Sequence, residues 1–180
     1  MFSPRTPDEV LSYVVIHYPI IYFAMLNRAF SLSLFLFIVF LFILTPVLAS
    51  AEMVSVSGDD VNLRSGPGTT YSVKWRYGSG FPLRVVDKKG EWLKVEDFES
   101  DTGWLHRSLV KNTGFMIVKA NKDSDERINI RSGPGTQYKI VGMAHYGVVF
   151  KTIKQQQGWA HVRHESGLEG WIKRTLLWGF

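Results

Sequence analysis

The chain of 180 residues contains no cysteine. Disulfide bonds therefore cannot stabilise it, and every function that needs a thiol nucleophile or a thiolate metal ligand is excluded. A helical pattern is also missing. From residue 52 onward no ten-residue stretch has apolar residues at a helical period, which excludes an all-α fold. This part of the chain must be held together by the packing of β-structure.

What the chain does have is an internal repeat. Residues 61–70 recur as residues 128–137, an offset of 67 positions (128 − 61), and the register continues without a gap for about forty more positions. A fixed register across glycines, aromatic residues and apolar residues indicates that one small unit was duplicated. We therefore expect two copies of one domain, residues 52–112 and residues 113–180. The matched aromatic pairs are Tyr71 and Tyr138, Trp92 and Trp159, and Trp104 and Trp171.

A hydrophobic segment precedes the repeats. Residues 30–44 are apolar except for two serines, and residues 49–51 read Ala-Ser-Ala. An apolar run of about 7–15 residues that ends at such a site is typical of a cleavable secretory signal. We expect residues 25–51 to form a hydrophobic signal helix that is cleaved after Ala51, which leaves a mature chain without a membrane span. The alternative is that the segment is kept as an anchor.

Residues 1–24 fit this signal poorly, because a secretory signal begins with positive charge close to its start. Met25, followed by Arg28, supplies such a start by itself. We therefore expect translation to begin at Met25 and residues 1–24 to be a mis-assigned start. An additional membrane-associated segment is the alternative, since residues 10–26 are moderately apolar.

Short alternating stretches separated by turn residues follow the signal. Residues 83–85, 93–95 and 160–162 alternate apolar with polar side chains, which is the period of a half-buried strand. Glycine-containing segments interrupt these stretches at close intervals. The pattern predicts an all-β chain in which each copy is a compact barrel of about five or six strands, closed so that no sheet edge is left free.

The repeated motif Asn-[Leu/Ile]-Arg-Ser-Gly-Pro-Gly-Thr-x-Tyr is followed in both copies by a mid-domain tryptophan and by Gly-Trp near the end. In these features residues 53–112 and 115–178 resemble the bacterial SH3 domain. The resemblance implies two consecutive SH3-like small β-barrels. Residues 73–77 and 177–180 are similar to those of a subgroup of exported tandem SH3 proteins. The acidic, tyrosine-bearing loop of eukaryotic SH3 domains is missing, so polyproline binding is not implied.

The connection between the copies is short. Only residues 111–114 can act as a linker, so we expect the two barrels to be held close together as a semi-rigid pair. Docking of one barrel on the other would help, because a core built from roughly 55–65 residues is only marginally stable. The second copy also has about five additional residues, within 119–127, before its copy of the motif.

The Arg-Ser-Gly-Pro-Gly segment, called the signature loop below, allows two interpretations. It can be a structural turn, in which glycines adopt positive φ, proline fixes its own φ, and asparagine and serine bond neighbouring backbone groups. Alternatively, Arg64 and Arg131 face a ligand cleft. Tyr71 and Tyr138 are expected to brace the loop. The residues with the structural role are Asn62, Ser65, Gly66, Pro67 and Gly68 in the first copy and Asn129, Ser132, Gly133, Pro134 and Gly135 in the second.

Alternation along the strands assigns the tryptophans to the outer face. Leu93 and Val95 point inward, so Trp92 points outward, and the second copy repeats this pattern. The same parity places the tryptophan of each Gly-Trp at the edge of a cleft, where flat indole surfaces suit sugar faces, prolines and extended peptides. Trp75 has no counterpart, because Gly142 takes its place. The candidate ligand-binding residues are Arg64, Trp92, Trp104, Arg131, Trp159 and Trp171.

No constellation in the sequence favours catalysis. No histidine recurs between the copies, and the repeated serines belong to a turn motif, so a nucleophile with a neighbouring base is not expected. His161 and His164 have an odd spacing, which sends their side chains to opposite faces of a strand and argues against a shared metal ion. We expect no metal, no cofactor and no enzyme activity. Residues 96–101, with four acidic side chains, are expected to be a solvated loop tip.

Charge differs between the copies. Residues 52–112 carry nine basic and nine acidic side chains, whereas residues 113–180 carry ten basic and five acidic ones. The excess favours contact of the second copy with an anionic polymer or a membrane surface, and an ordinary solvated surface is the alternative. Export argues against nucleic acid as a partner.

These features together predict an exported, non-catalytic binding protein of the cell envelope, periplasmic or extracellular. Bacterial SH3 domains often target wall hydrolases, so the resemblance implies recognition of peptidoglycan through its peptide stems or crossbridges. One alternative is a protein-interaction adaptor for an envelope enzyme, transporter or receptor. Another is a structural spacer. The identity of the ligand and the oligomeric state do not follow from the sequence.

Overall fold

The structure is a computed structural model that describes residues 52–180. The expected start at Met25, the signal segment 25–51 and the cleavage after Ala51 lie outside the described residues. From residue 52 to residue 180 the chain consists of β-strands, turns and two single 3-10 turns. No helix in that range is long and apolar enough to cross a membrane.

Each copy forms seven strands in the same order along the chain. The first copy, called the first barrel, has β1 (Met53–Val56), β2 (Val61–Arg64), β3 (Val73–Tyr77), β4 (Pro82–Lys89), β5 (Trp92–Glu96), β6 (Thr102–His106) and β7 (Val110–Lys111). The second barrel has β8 (Phe115–Val118), β9 (Ile128–Arg131), β10 (Ile140–Ala144), β11 (Val149–Gln156), β12 (Trp159–Arg163), β13 (Glu169–Lys173) and β14 (Leu177–Gly179). A 3-10 turn precedes the last strand of each barrel, at Arg107–Leu109 and Arg174–Leu176. The predicted number of strands was too low, because a short final strand pairs back onto the first strand of its barrel.

The two sheets share one topology, in which all neighbouring strands are antiparallel. The strand order is β3-β2-β6-β5-β4-β1-β7 in the first barrel and β10-β9-β13-β12-β11-β8-β14 in the second. The prediction that closure removes every sheet edge was wrong, because the two end strands of each sheet in this part of the chain do not pair with each other. β3 and β10 are therefore edge strands.

Alternate side chains of each sheet point into a core of its own. Leu93 and Val95 on β5 are buried, as the alternation predicts, and Trp92 and Lys94 beside them are half-buried. Both barrels are thus stabilised by their own apolar clusters. The first core consists of Val54, Val56, Val61, Leu63, Tyr77, Leu83, Leu93, Val95 and Leu105, and the second of Met116, Val118, Ile128, Ile130, Ala144, Phe150, Ala160, Val162, Ile172 and Leu177.

The connection between the barrels is even shorter than predicted. Lys111 belongs to β7, where it pairs with Ser55, so residues 112–114 alone connect the two sheets. Ser55 is fully buried, and its hydroxyl donates to the carbonyl oxygens of Thr113 at 2.8 Å and Lys111 at 3.3 Å. These bonds attach the connection to the first barrel.

The two barrels also contact each other directly. The ring of Phe115, on β8, covers Gly80 of the first barrel. Gly80 has a φ of +80°, and a Cβ at this position would collide with that ring. Gly179, on β14, lies against Pro82 in the same region. Packing across β4, β8 and β14 therefore supplements the covalent connection.

Candidate functional site

The signature loop is closed by its own arginine in both barrels. Arg64 Nη1 donates to the carbonyl oxygens of Thr69 at 2.9 Å and Tyr71 at 2.8 Å. Arg131 Nη1 makes the same two bonds, to the carbonyl oxygens of Thr136 and Tyr138, at the same distances. The first role of both arginines is therefore structural, and their role toward a ligand stays a prediction.

The glycines of the signature loop are required for space and not for positive φ. Neither Gly66 nor Gly68 has a positive φ, which corrects the expectation from the sequence. A Cβ on Gly66 would overlap the ring of Tyr71, and a Cβ on Gly68 would lie 3.3 Å from the same ring. Gly133 is covered by Tyr138 in the same way. The tyrosine thus braces the loop by lying across it.

The two polar residues of the motif, Ser65 and Asn62, differ in their hydrogen bonds. The hydroxyl groups of Ser65 and Ser72 lie 2.9 Å apart, and the backbone N–H of Ser65 donates to the Ser72 carbonyl oxygen. The expectation that Asn62 bonds neighbouring backbone was wrong for its oxygen, because Oδ1 is buried and has no hydrogen-bond partner among residues 52–180. Asn62 also lines the cavity described next.

A groove of about 430 Å³ lies beside the signature loop of the first barrel. We call it the loop groove. The ring of Trp92 lies edge-on to that of His106, with centroids 5.5 Å apart, because the two residues are paired across β5 and β6. Its lining includes Asn62, Arg64, Thr69, Trp92 and His106.

Trp104 lies on the same outer face as the loop groove but does not line it. In the sheet register it stands between Arg64 on β2 and Lys94 on β5. The structure thus brings three of the predicted residues, Arg64, Trp92 and Trp104, onto one face of the first barrel. Sequence reasoning missed His106. The signal that could have found it is its outward parity, two strand positions after Trp104.

The equivalent face of the second barrel is arranged differently. Trp171 is only 8 % exposed, because the ring of His161 stacks on it at 4.8 Å and Lys154 Nζ lies 5.3 Å from the indole centroid. The expectation that Trp171 lies open at the edge of a cleft was therefore wrong. Trp159 is half-buried and is paired in the register with Lys173.

The histidines of the second barrel have separate partners. His161 Nε2 lies 3.1 Å from the Glu169 carboxylate, whereas His164 Nδ1 lies 2.9 Å from the Ser166 hydroxyl. The ring of His164 packs edge-on to Phe150, at a centroid distance of 5.5 Å. Each histidine is thus engaged in contacts of its own.

The acidic segment 96–101 is not the solvated tip that the sequence predicted. Asp97 is only 6 % exposed. Its carboxylate accepts hydrogen bonds from the Tyr77 hydroxyl at 2.8 Å and from the backbone N–H groups of Glu99 and Asp101, both at 2.9 Å. Burial, together with the bond to Asp97, raises the pKa of Tyr77 well above its ordinary value. The segment is an ordered loop built around Asp97.

The same loop contacts the second barrel. Glu99 Oε1 accepts a hydrogen bond from the Tyr146 hydroxyl at 2.6 Å and lies 2.6 Å from Lys122 Nζ. The rings of Phe98 and Tyr146 are 5.2 Å apart. The bond to Lys122, more than that to Tyr146, holds the pKa of Glu99 below its ordinary value. Because Lys122 belongs to the insertion within 119–127, the insertion contributes one of the contacts between the barrels.

The described chain is similar to a known domain family and to a curated protein. The family model described as "Bacterial SH3 domain" matches residues 57–112 and 124–179. Among curated proteins, the chain is similar to a putative N-acetylmuramoyl-L-alanine amidase, YrvJ of Bacillus subtilis (strain 168), with 25% identity over 137 residues. The match covers 73% of this chain and 26% of the relative, so the chain spans about a quarter of that protein's length.

Solved structures give weaker matches. A NlpC/P60 family protein from Bacillus cereus ATCC 10987 aligns at 13% identity with a TM-score of 0.33, over 72% of this chain and 56% of that one. NlpC2 from Trichomonas vaginalis aligns at 9% identity with a TM-score of 0.31, over 72% and 48% of the two chains. Scores this low do not support an argument about shared architecture.

Proposed function

Because the chain belongs to the bacterial SH3 domain family, with two tandem copies, we propose that it is an exported, non-catalytic binding protein of the cell envelope that recognises peptidoglycan through its peptide stems. The loop groove of the first barrel is the binding site in this proposal. Its residues bind and orient the ligand, and none is assigned a chemical step. The proposal needs no cofactor and no metal.

The observation that carries the proposal is that Trp92 and Arg64 line one groove beside the signature loop. Trp92 is half-buried, so part of its indole is held by the protein and part stays accessible. This flat apolar surface suits the side chains of an extended peptide.

Arg64 adds a second element of recognition. Its two bonds to the signature loop both come from Nη1. A guanidinium group has five N–H donors, so the remaining ones are available to a carbonyl or carboxylate oxygen of the ligand. Because the loop bonds hold the side chain in place, little conformational entropy is lost when a ligand binds. The groove thus combines a set of donors with an apolar surface.

The similarity to a putative N-acetylmuramoyl-L-alanine amidase supports the same class of ligand. Because this chain spans about a quarter of that relative, the activity in its name is not transferred. We propose that the shared region holds a protein on the wall. In this proposal the segment 25–51 directs export, with cleavage after Ala51, and the protein acts in the periplasm or outside the cell.

Co-sedimentation with purified wall sacculi tests the proposal. We expect the purified protein to pellet with sacculi, and Trp92→Ala to weaken the association about tenfold, as for an aromatic residue at the centre of an interface. Val86→Ala is the matched control, because Val86 lies on the neighbouring strand and is 44% exposed. Protein that stays in the supernatant, or equal losses for both variants, would contradict the proposal.

The runner-up function, a protein-interaction adaptor, is favoured by one observation. Edge strand β10 presents Ile140, Val141 and Met143 to solvent, with exposed fractions of 49%, 38% and 54%. Natural edge strands usually carry charges that prevent pairing, and an apolar edge can accept a strand from another protein. Recovery of one envelope protein in stoichiometric amount, lost in Val141→Lys and retained in Trp92→Ala, would favour the adaptor over wall recognition.

A further inference from the structure

We propose that a second cavity, between the two barrels, binds a sugar ring of the wall glycan, with Trp75 as the stacking platform. The inference rests on the proposed function, because it names a second part of the same polymer. The cavity has a volume of about 430 Å³ and is called the inter-barrel cavity. Its lining includes Leu63, Lys74, Trp75, Phe98, Asp101 and Gly147.

Trp75 is the most exposed large apolar side chain in the described chain, with 63% of its surface accessible. It lies on edge strand β3, paired in the register with the buried Leu63 of β2. Exposing most of an indole in the lining of a cavity forgoes much of the stabilisation that its burial would contribute. Packing within the described chain does not account for this tryptophan, and the proposed ligand would cover it.

The second barrel demonstrates that the fold does not need this cavity. At an offset of 67, Gly142 replaces Trp75 and Leu168 replaces Asp101. A Cβ on Gly142 would collide with Leu168, and Leu168 packs against the second core, so the equivalent space is filled. The other aromatic residues of the cavity are lost as well. Tyr77, Phe81 and Phe98 correspond to Ala144, Val148 and Glu165.

The second barrel nevertheless helps to form the cavity of the first. Gly147, in the turn after β10, lines the cavity together with first-barrel residues. Phe98, also in the lining, packs against Tyr146 at 5.2 Å. The second barrel therefore completes the wall of the cavity, and the proposed site depends on the tandem arrangement.

The charges favour a neutral polyhydroxylated ligand over a cation. The lining contains three carboxylates, and two ammonium groups lie close to them: Lys122 is paired with Glu99, and Lys74 is itself in the lining. These positive charges weaken the field felt by a bound cation. Asp101 is left at the rim as an acceptor for a hydroxyl group.

Lys74 completes the polar rim. Its ammonium group donates to the carbonyl oxygen of Thr102, next to Asp101, and its charge opposes the entry of another cation. A sugar has an apolar face for the Trp75 indole and hydroxyl groups for a donor and an acceptor at the rim. The volume of about 430 Å³ is within the usual range of roughly 300–1,000 Å³ for small-ligand sites.

The two cavities lie on opposite faces of β2, so their ligands can be measured separately. The loop groove uses the outward residues Asn62 and Arg64, whereas the inter-barrel cavity uses Leu63 between them. A peptide probe and a sugar probe are therefore expected to bind independently. This separation makes failure of the sugar site distinguishable from failure of wall recognition.

Titration of the purified protein with the linear tetramer of N-acetylglucosamine, followed by calorimetry, tests the inference. We expect saturable binding that Trp75→Ala weakens at least about tenfold and that Trp75→Tyr largely restores. Met143→Ala is the matched control, since Met143 is 54% exposed on the equivalent edge strand β10. Trp92→Ala is expected to bind the tetramer like the wild type while binding sacculi about tenfold more weakly.

Three results would overturn the inference. They are tetramer binding that is equal in the wild type and Trp75→Ala, no tetramer binding at millimolar concentration, and saturable binding of Nα-acetyl-lysine that Trp75→Ala abolishes, which would assign a cationic ligand. If sacculi still pellet the protein in any of these cases, the proposed function stands without a sugar site. If the tetramer binds through Trp75 and Trp92→Ala pellets with sacculi as the wild type does, the sugar site stands and peptide recognition at the loop groove fails.

Discussion

The carboxylate of Glu99 in the first barrel accepts a 2.6 Å hydrogen bond from the hydroxyl of Tyr146 in the second. Neither of its partners has an equivalent in the first copy. Ser79 stands where the register would place a tyrosine, and Lys122 lies in the insertion. The two copies have therefore acquired different residues at the places where they meet. A duplicated domain has become an asymmetric pair, and the inter-barrel cavity is lined by residues of both halves.

Acidification should weaken this contact. The pKa of Glu99 is held below its ordinary value of 4.5, chiefly by Lys122 and then by Tyr146. A carboxyl group with a lowered folded-state pKa contributes stability above the unfolded pKa, and that contribution is lost as pH falls through the folded pKa. We expect urea unfolding to show a stability difference between the wild type and Glu99→Gln at pH 7 that shrinks below pH 4.5. A difference that is independent of pH would contradict the assignment.

Gly66→Ala should destabilise the first barrel by about 1–3 kcal/mol, because the new methyl group overlaps the ring of Tyr71. Gly58→Ala is the control. Its Cβ would meet nothing within 4 Å, and its φ is not positive, so we expect no loss of stability and a gain of up to about 1 kcal/mol. Thermal unfolding of both variants measures the effect. Equal stabilities would mean that Tyr71 does not brace the signature loop.

Tyr77→Phe should destabilise the first barrel by about 1–3 kcal/mol, because the buried carboxylate of Asp97 loses a hydrogen bond of 2.8 Å. Tyr71→Phe removes the same hydroxyl group from a ring that is 46% exposed, and we expect it to change stability by less than about 0.5 kcal/mol. Chemical denaturation compares the two. If they lose equal stability, the bond to Asp97 is not what holds the acidic loop.

His161→Ala should uncover Trp171, because the imidazole ring stacks on the indole at 4.8 Å. The expected outcome is stronger acrylamide quenching of tryptophan fluorescence than in the wild type. His145→Ala, at an exposed position, is expected to leave the quenching unchanged. If neither variant changes the quenching, a side chain other than His161 covers Trp171. A gain of wall binding in His161→Ala would indicate that the second barrel has a masked counterpart of the first site.

Local periodicity was sufficient to place the core residues of β5. Leu93 and Val95 are buried and Trp92 is on the outer face, because neighbouring side chains of a strand always point in opposite directions. The same reasoning assigned Trp171 to the outer face correctly and its accessibility wrongly. Its cover comes from His161 on the neighbouring strand β12 and from Lys154 on β11, the next strand beyond it. Such neighbours depend on register and strand order.

The contacts of the acidic loop could not be predicted from local periodicity either, because its partners lie far away along the sequence. Four carboxylates within six residues favour a solvated tip when only neighbours along the chain are considered. Glu99 instead meets Tyr146, a residue 47 positions later, and Asp97 meets Tyr77 on β3. In the sequence, the one sign of such a contact was an aromatic residue, Phe98, in the middle of the acidic run. In the structure Phe98 is half-buried.

By itself the sequence determined that the chain carries two copies of a small β-domain with outward-facing indoles, because repeat register and side-chain alternation depend only on order along the chain. Only the tertiary structure decided which indoles stay open, how the signature loop is braced, and that a cavity lies between the copies. Those features depend on side chains that folding brings together from strands and barrels far apart in the sequence.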